Sequence, residues 1–161
     1  MENIDLRHRE ARMNHPELGE GAFEWLGTWY KTVLHTDASG GVISITDSIG
    51  PPGSGPPRHV HNDADGTFVM LTGQAQFWLD GTLMQRGAGE TVFVPRGKEH
   101  TFRVIGEETS RHLVIMTPGG FEGFFAEMAS GQCRIPEDMD KIVEIAARFH
   151  LTFTGPPLGP A

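Results

Sequence analysis

The sequence has one cysteine and no long apolar run, and both scarcities exclude classes of protein. Cys133 has no second cysteine to pair with, so we expect a chain without internal disulfides in the reducing cytoplasm. The longest apolar stretches fall far short of the roughly 20 residues that a membrane span needs. Residues 1–15 are charged and lack the apolar core of a secretory signal peptide. We therefore expect neither a membrane protein nor a secreted one.

Basic residues are also few. The chain has 13 Lys and Arg against 21 Asp and Glu, which gives a formal net charge of -8. No run of basic residues offers an electrostatic surface for phosphates, so we do not expect a nucleic-acid partner.

Turn-forming residues, by contrast, are abundant, with 21 Gly and 11 Pro. This composition favours many short strands joined by tight turns over a helical bundle. Short runs rich in β-branched and aromatic residues, with turn residues between them, predict a β-sandwich or β-barrel. The predicted strands are 23–34, 42–46, 58–61, 67–72, 74–80, 82–86, 91–94, 100–105 and 111–117.

The length of 161 residues fits a single domain with its own core. Residues 1–22 have no clean period and are interpreted as an N-terminal arm, either mobile or laid across a partner subunit. Residues 23–118 form the predicted barrel. Residues 119–161 are expected to pack on it as a C-terminal segment, with helices at 121–129 and after Pro136, followed by an extended tail.

Three of the eight histidines occupy informative positions. His59 and His61 are two apart on a predicted strand, so their side chains share one face and can bind one ion together. His100 begins a later strand, which a closed sheet can bring opposite the first pair. The pattern favours a metal site at His59, His61 and His100. Hydrogen-bonded or surface positions are expected for His8, His15, His35 and His150.

The residues around His59 and His61 resemble the first motif of the cupin superfamily, G-x5-H-x-H-x(3 or 4)-E-x6-G. Gly53 precedes the histidine pair by the required spacing, and Gly73 closes the motif.

The second cupin motif, G-x5-P-x-G-x2-H-x3-N, is matched in the same order. Gly89 opens it, Pro95 and Gly97 form its turn, and His100 is its histidine. Val104 stands where the family usually has asparagine.

This resemblance extends over residues 40–118 and carries several expectations. It implies an all-β, double-stranded β-helix (jelly-roll) cupin barrel with the metal inside one end. One or two C-terminal helices would follow the barrel. It also implies a homodimer formed through edge strands and terminal segments.

The sequence departs from the family at the metal-binding glutamate, because that position is Gly66. Asp65 is at the shorter spacing that the motif allows, but strand alternation places it on the face opposite position 66. Asp63 belongs to the connecting loop and is the other carboxylate that could reach inward. We expect a three-histidine site, with Asp63 or Asp65 as alternative fourth ligands.

Three imidazoles predict one divalent transition-metal ion. Fe(II) is the first choice, and Mn, Ni, Zn or Cu are alternatives. Neutral ligands leave the charge of the ion uncompensated and leave coordination positions open, which favours a small-molecule substrate that binds as a bidentate anion. The resemblance is to small three-histidine dioxygenases, including quercetinase-like ones. It implies an oxygenase for an enolisable or phenolic substrate. The alternatives are an oxygen-independent lyase, isomerase or decarboxylase, and a non-catalytic small-molecule-binding cupin with a decayed site.

No catalytic acid or base is assigned, and Asp65 and His112 are the candidates. His112 shares a strand face with Val114 and Met116, and is either a base behind the metal ligands or a cross-strand surface residue. We favour the surface. Arg96 is expected to form an outer salt bridge. About half of the apolar strand residues should line the interior, drawn from Phe68, Met70, Phe77, Trp78, Leu79, Phe93, Phe102 and Met116.

Overall fold

The computed structural model describes residues 14–160, which form antiparallel β-sheets and two short α-helices. The strands are β1 (Asn14–His15), β2 (Gly19–Glu20), β3 (Phe23–Trp25), β4 (Thr28–Leu34), β5 (Ser44–Gly50), β6 (Pro57–His61), β7 (Asp65–Thr72), β8 (Gln74–Leu79), β9 (Thr82–Gly87), β10 (Thr91–Val94), β11 (His100–Ile105), β12 (Ser110–Thr117) and β13 (Leu151–Pro157). The helices are α1 (Glu122–Gly131) and α2 (Met139–Arg148), and a short 3₁₀ helix spans Thr36–Ser39. Among these helices, none has the length and apolar character needed to cross a membrane.

Two sheets make up the barrel. One has six strands in the order β10-β7-β12-β5-β4-β3, and the other has five in the order β13-β6-β11-β8-β9. From β5 to β12 the chain crosses repeatedly between the sheets, which is the topology of a jelly roll. The predicted all-β double-stranded β-helix with C-terminal helices is confirmed.

Side-chain alternation places the barrel core between the two sheets. Along β12 every second residue is buried, and β7 buries Gly66, Phe68 and Met70 in the same way. Phe68 and Met70 of β7 and Val114 and Met116 of β12 meet Phe77 from the opposite sheet in one apolar cluster. Burying a side chain of this size stabilises the fold by about 1.5–3 kcal/mol. Phe93 was among the candidate interior residues, but it is 57% exposed because its neighbours in β10 take the inward positions.

The two helices close one side of the barrel through a second apolar cluster. Phe124 and Met128 of α1 and Ile142 of α2 pack there against Trp25. The indole Nε1 of Trp25 donates a hydrogen bond of 2.7 Å to the carbonyl of Cys133, and the thiol side chain of that residue is buried in the same cluster. The C-terminal segment is thereby joined to the first strands of the six-stranded sheet.

The strand boundaries differ from the predictions at turns. The single predicted strand 23–34 is two strands, since Leu26 and Gly27 adopt φ angles of 51° and 82° and form a tight turn. The predicted strand 42–46 begins later and continues to Gly50. The extended tail is a strand in its own right, because β13 pairs with β6.

The N-terminal arm was expected to be mobile or to lie on a partner. Residues 14–22 form the β1–β2 hairpin and pack on the six-stranded sheet of the same chain, with Leu18 and Ala22 buried beside Ile49. Residues 1–13 of the predicted arm lie outside the described residues.

Candidate metal centre

The five-stranded sheet brings the three predicted histidines together. His59 and His61 both point inward from β6, whose residues alternate between buried and half-buried. His100 is the first residue of β11 and is the direct cross-strand partner of His59. The three side chains therefore share one face of one sheet.

The three imidazole rings form a compact and buried cluster. The ring centroid of His59 lies 4.2 Å from that of His100 and 5.1 Å from that of His61, and the His61 and His100 centroids are 5.5 Å apart. One nitrogen from each ring lies within 4.8 Å of the others. This spacing allows all three nitrogens to bind a single ion at ligand distances near 2 Å.

Backbone carbonyls set the orientation of two of the rings. The Nδ1 atom of His59 lies 2.8 Å from the carbonyl oxygen of Pro57, and Nδ1 of His100 lies 3.1 Å from that of Lys98. A carbonyl oxygen only accepts, so each Nδ1 carries the hydrogen and Nε2 keeps its lone pair free. The remaining ring, His61, packs edge-on against Phe121 at 4.4 Å.

Burial keeps these histidines uncharged. It lowers the pKa of His59 well below its usual value and lowers the pKa of His61 to about 3, and repulsion from the neighbouring imidazoles adds to both effects. Burial also lowers the pKa of His100. Neutral imidazole is the form that binds metals. The donor set, its spacing and its protonation state therefore fit a divalent transition-metal ion.

Neither candidate carboxylate belongs to this group of ligand atoms. The Asp65 carboxylate accepts hydrogen bonds from the backbone N–H of Arg96 at 2.8 Å and from its guanidinium Nε at 3.2 Å, which is the outer salt bridge expected for Arg96. Asp63 faces the exposed ring of His150 at 3.7 Å. Both carboxylates thus have partners outside the cluster of His59, His61 and His100.

The glycine in place of the family glutamate faces the barrel interior. Gly66 is buried in β7, and a Cβ built on it would meet only the Sδ atom of Met116, at 3.5 Å. The predicted register, with position 66 inward and position 65 outward, matches the structure.

A cavity of about 320 Å³ adjoins the histidines. His59 and His61 contribute to its lining, which is otherwise mainly aromatic and apolar. A cavity of this volume and lining is typical of sites that bind small molecules. Its aromatic lining includes Trp25, Phe68, Phe102, Phe121, Phe125 and Phe153.

The surface position favoured for His112 is wrong. The residue is buried, lines the same cavity, and lies 5.3 Å from the Phe102 ring and 5.6 Å from the Phe68 ring. Burial lowers its pKa to about 4. The face that His112 shares with Val114 and Met116 already indicated an inward position in the sequence.

Among the polar residues of the cavity that sequence reasoning missed are Tyr30 and Ser48. No motif marks them. Their position becomes apparent only from the pairing of β4 with β5 and of β5 with β12.

Together, the jelly-roll topology and the inward-facing histidine cluster define a β-barrel protein with a candidate metal centre beside an aromatic cavity. Residues 49–116 match the model of the Cupin_2 family, described as a cupin domain. This match, together with the shared fold, supports a protein of the cupin superfamily.

Comparisons with individual proteins agree with this fold. The chain is 33% identical over 85 residues to quercetin 2,3-dioxygenase from Bacillus subtilis, which covers 53% of this chain and 25% of the relative. The curated relatives that it matches are covered over only 25% to 49% of their own length. The structure of KdgF from Halomonas sp. aligns with a TM-score of 0.55 at 18% identity, over 60% of this chain and 84% of that one.

A second solved structure is somewhat more similar in sequence. The polyketide cyclase RemF from Streptomyces resistomycificus is 26% identical, with a TM-score of 0.51, and the alignment covers 60% of this chain and 67% of that one.

Proposed function

We propose that this cupin is a metal-dependent oxygenase that acts on a small phenolic or enolisable compound. The observation that carries the proposal is a cluster of three neutral, buried imidazoles, two of which line an aromatic cavity of about 320 Å³. Fe(II) is the metal we expect, since imidazole ligands with open coordination positions suit it.

In this chemistry the protein would hold the metal ion, orient the substrate and exclude water. His59 and His100 would hold the ion through Nε2, because the Pro57 and Lys98 carbonyls fix their rings through Nδ1. Since the cluster contains no carboxylate, an anionic substrate would have to balance the charge of the ion. This favours a bidentate enolate or catecholate. When bound, the metal supplies Lewis acidity and, as Fe(II), electrons for reaction with oxygen.

Similarity to a known oxygenase supports this choice of reaction. The quercetin 2,3-dioxygenase from Bacillus subtilis shares 33% identity over 85 residues with this chain. Gly66 removes the carboxylate that a flavonol-cleaving enzyme is expected to use as a base. We therefore propose 1,3-diketones and catechols, rather than flavonols, as the class of substrate.

The second candidate is an oxygen-independent reaction on a similar substrate. It is favoured by the similarity to RemF, whose name describes a polyketide cyclase. The same Lewis-acid site would polarise an enolisable carbonyl without consuming oxygen. The third candidate, a non-catalytic small-molecule-binding cupin, predicts ligand binding without turnover.

The decisive experiment is oxygen uptake by the protein loaded anaerobically with Fe(II). An oxygen electrode follows consumption with a panel of acetylacetone, catechol and 3-hydroxychromone, and mass spectrometry identifies the products. The oxygenase proposal expects substrate-dependent uptake that is lost in His61→Ala and kept in His150→Ala, whose histidine is largely exposed. Turnover under nitrogen would support the second candidate. Tight binding without any product would support the third.

A homodimer and a cytoplasmic location remain predictions. Leu83 and Phe93 are exposed apolar residues on the edge strands β9 and β10, where a second copy would cover them. Sedimentation equilibrium tests the dimer, and cell fractionation tests the location.

A further inference from the structure

A row of polar side chains crosses the six-stranded sheet inside the cavity. Tyr30 of β4 is the cross-strand partner of Ser48 of β5, and Ser48 is in turn the partner of His112 of β12. Residues that are directly opposite in an antiparallel sheet project from the same face. All three residues line the cavity.

Ser48 is the residue of this row whose buried hydroxyl lacks a hydrogen-bond partner in the described structure. Its side chain is 1% exposed, and its hydroxyl has no hydrogen-bond partner among residues 14–160. Leaving a buried hydroxyl without a partner costs about 1–3 kcal/mol. A ligand oxygen or nitrogen in the cavity would satisfy it.

The row offers neutral hydrogen-bonding groups rather than charge. Burial raises the pKa of Tyr30, so its phenol keeps its proton at neutral pH. Burial lowers the pKa of His112 to about 4, so its ring is uncharged there. Within the described part of the chain, no Lys or Arg lines the cavity. A carboxylate or phosphate would find no counter-charge at this place.

We propose that Tyr30, Ser48 and His112 form a second binding site in the cavity, which takes a neutral hydroxyl or carbonyl group of an aromatic ligand. This assignment rests on the proposed function, in which the ligand is the substrate. The oxygen bound at the row would then be a third oxygen, besides the two that bind the metal ion. The Phe68 ring lies near both the histidine cluster and the polar row, with its centroid 6.4 Å from that of His100 and 5.6 Å from that of His112. A planar ligand beside Phe68 can thus reach both the metal centre and the row.

The test measures binding of phenol and toluene, which differ only in that a hydroxyl replaces a methyl. The full chain is freed of metal by a chelator, and each probe is titrated by heteronuclear NMR. The proposal expects Ser48→Ala to weaken phenol binding about fivefold, as for one neutral hydrogen bond, and to leave toluene binding unchanged. Tyr30→Phe is a second variant with the same expectation.

Ser110→Ala is the matched control. Ser110 is also a fully buried serine whose hydroxyl has no partner among the described residues. Ser110 lies on β12 but packs against Gly73, because a Cβ added to that glycine would be 2.7 Å from the Cα of Ser110. It does not line the cavity. Its replacement should change neither probe. Equal phenol affinity in Ser48→Ala, Tyr30→Phe and Ser110→Ala would overturn the proposal.

The outcome is independent of the oxygenase proposal, because phenol has a single oxygen and the chain carries no metal in this titration. A phenol-specific loss in Ser48→Ala, with no oxygen uptake by the Fe(II)-loaded protein, would leave the row assigned and the oxygenase refuted. Oxygen uptake by the Fe(II)-loaded protein without that loss would support the oxygenase and refute the binding site at the row.

Discussion

His59 and His100 face each other across β6 and β11, with their ring centroids 4.2 Å apart. Directly opposed side chains in an antiparallel pair lie about 4.5–5.5 Å apart at Cβ, so backbone pairing alone brings these rings into one place. The carbonyls of Pro57 and Lys98 then fix their rotation. The candidate metal centre is therefore preformed by the sheet.

Replacing His100 should abolish tight metal binding. With His100→Ala two imidazoles remain. Removing a group that only hydrogen-bonds to a metal ligand weakens metal binding by up to about 100-fold. Because this variant removes a ligand itself, we expect the affinity for Zn²⁺ to fall by more than that. Calorimetric titration measures it, with His150→Ala as the control. An unchanged affinity in His100→Ala would refute the assignment.

Restoring the family carboxylate should strengthen the site. A Cβ added at the inward-facing Gly66 would make ordinary contact with Sδ of Met116, at 3.5 Å, and no closer contact. Gly66→Glu is expected to raise the metal affinity roughly tenfold, which corresponds to about 1.4 kcal/mol, because it adds a charged ligand. Gly66→Gln fills the same space without the charge and should gain less. Equal affinities for the two variants would show that position 66 does not face the ion.

His112 should make the fold sensitive to acid. Its pKa is about 6.5 when unfolded and about 4 when folded, so the unfolded chain binds more protons between these values. Stability from this residue is therefore complete above pH 6.5 and falls as the pH drops toward 4. At 1.36 kcal/mol per pKa unit, the loss approaches roughly 3 kcal/mol.

Urea denaturation of metal-free protein across this pH range tests the contribution of His112. The variant His112→Gln should lose less stability than the wild type on acidification. His150→Gln, which changes an exposed histidine, should follow the wild type. Parallel curves for His112→Gln and the wild type would contradict the expectation.

Glu122 should stabilise the junction between the barrel and α1 in its ionised form. One carboxylate oxygen accepts the Thr36 N–H at 2.7 Å, and the other accepts the Gly120 N–H at 2.8 Å. Burial raises the pKa of Glu122, but these hydrogen bonds and one to Ser44 outweigh it and lower the pKa overall. The stabilisation is present above the unfolded pKa and is lost as the pH falls through the folded one.

The variant Glu122→Gln keeps the shape and removes the charge. We expect it to lower the free energy of unfolding at pH 7 by about 1.5–3 kcal/mol, and to come closer to the wild type near pH 3. Thermal denaturation at both pH values measures this. A constant difference between the two proteins would show that the charge contributes nothing.

Much of the barrel could be predicted from the sequence because its information is local. Runs of β-branched and aromatic residues between turn residues indicated β6 to β12 to within one or two residues at most boundaries. The spacing of His59, His61 and His100 indicated their common site. Alternation also placed Gly66 inward and Asp65 outward. Strand boundaries failed where a turn interrupts apolar sequence, as at Leu26 and Gly27.

The sequence by itself determined the strand pattern, the identity of the three histidines and the loss of the glutamate at position 66. Only the tertiary structure decided that His112 is buried, that Asp63 and Asp65 have other partners, and that Tyr30 and Ser48 join the cavity. These facts depend on which strands become neighbours and in which register. That choice is made by contacts between residues far apart in the chain, and no local pattern records it.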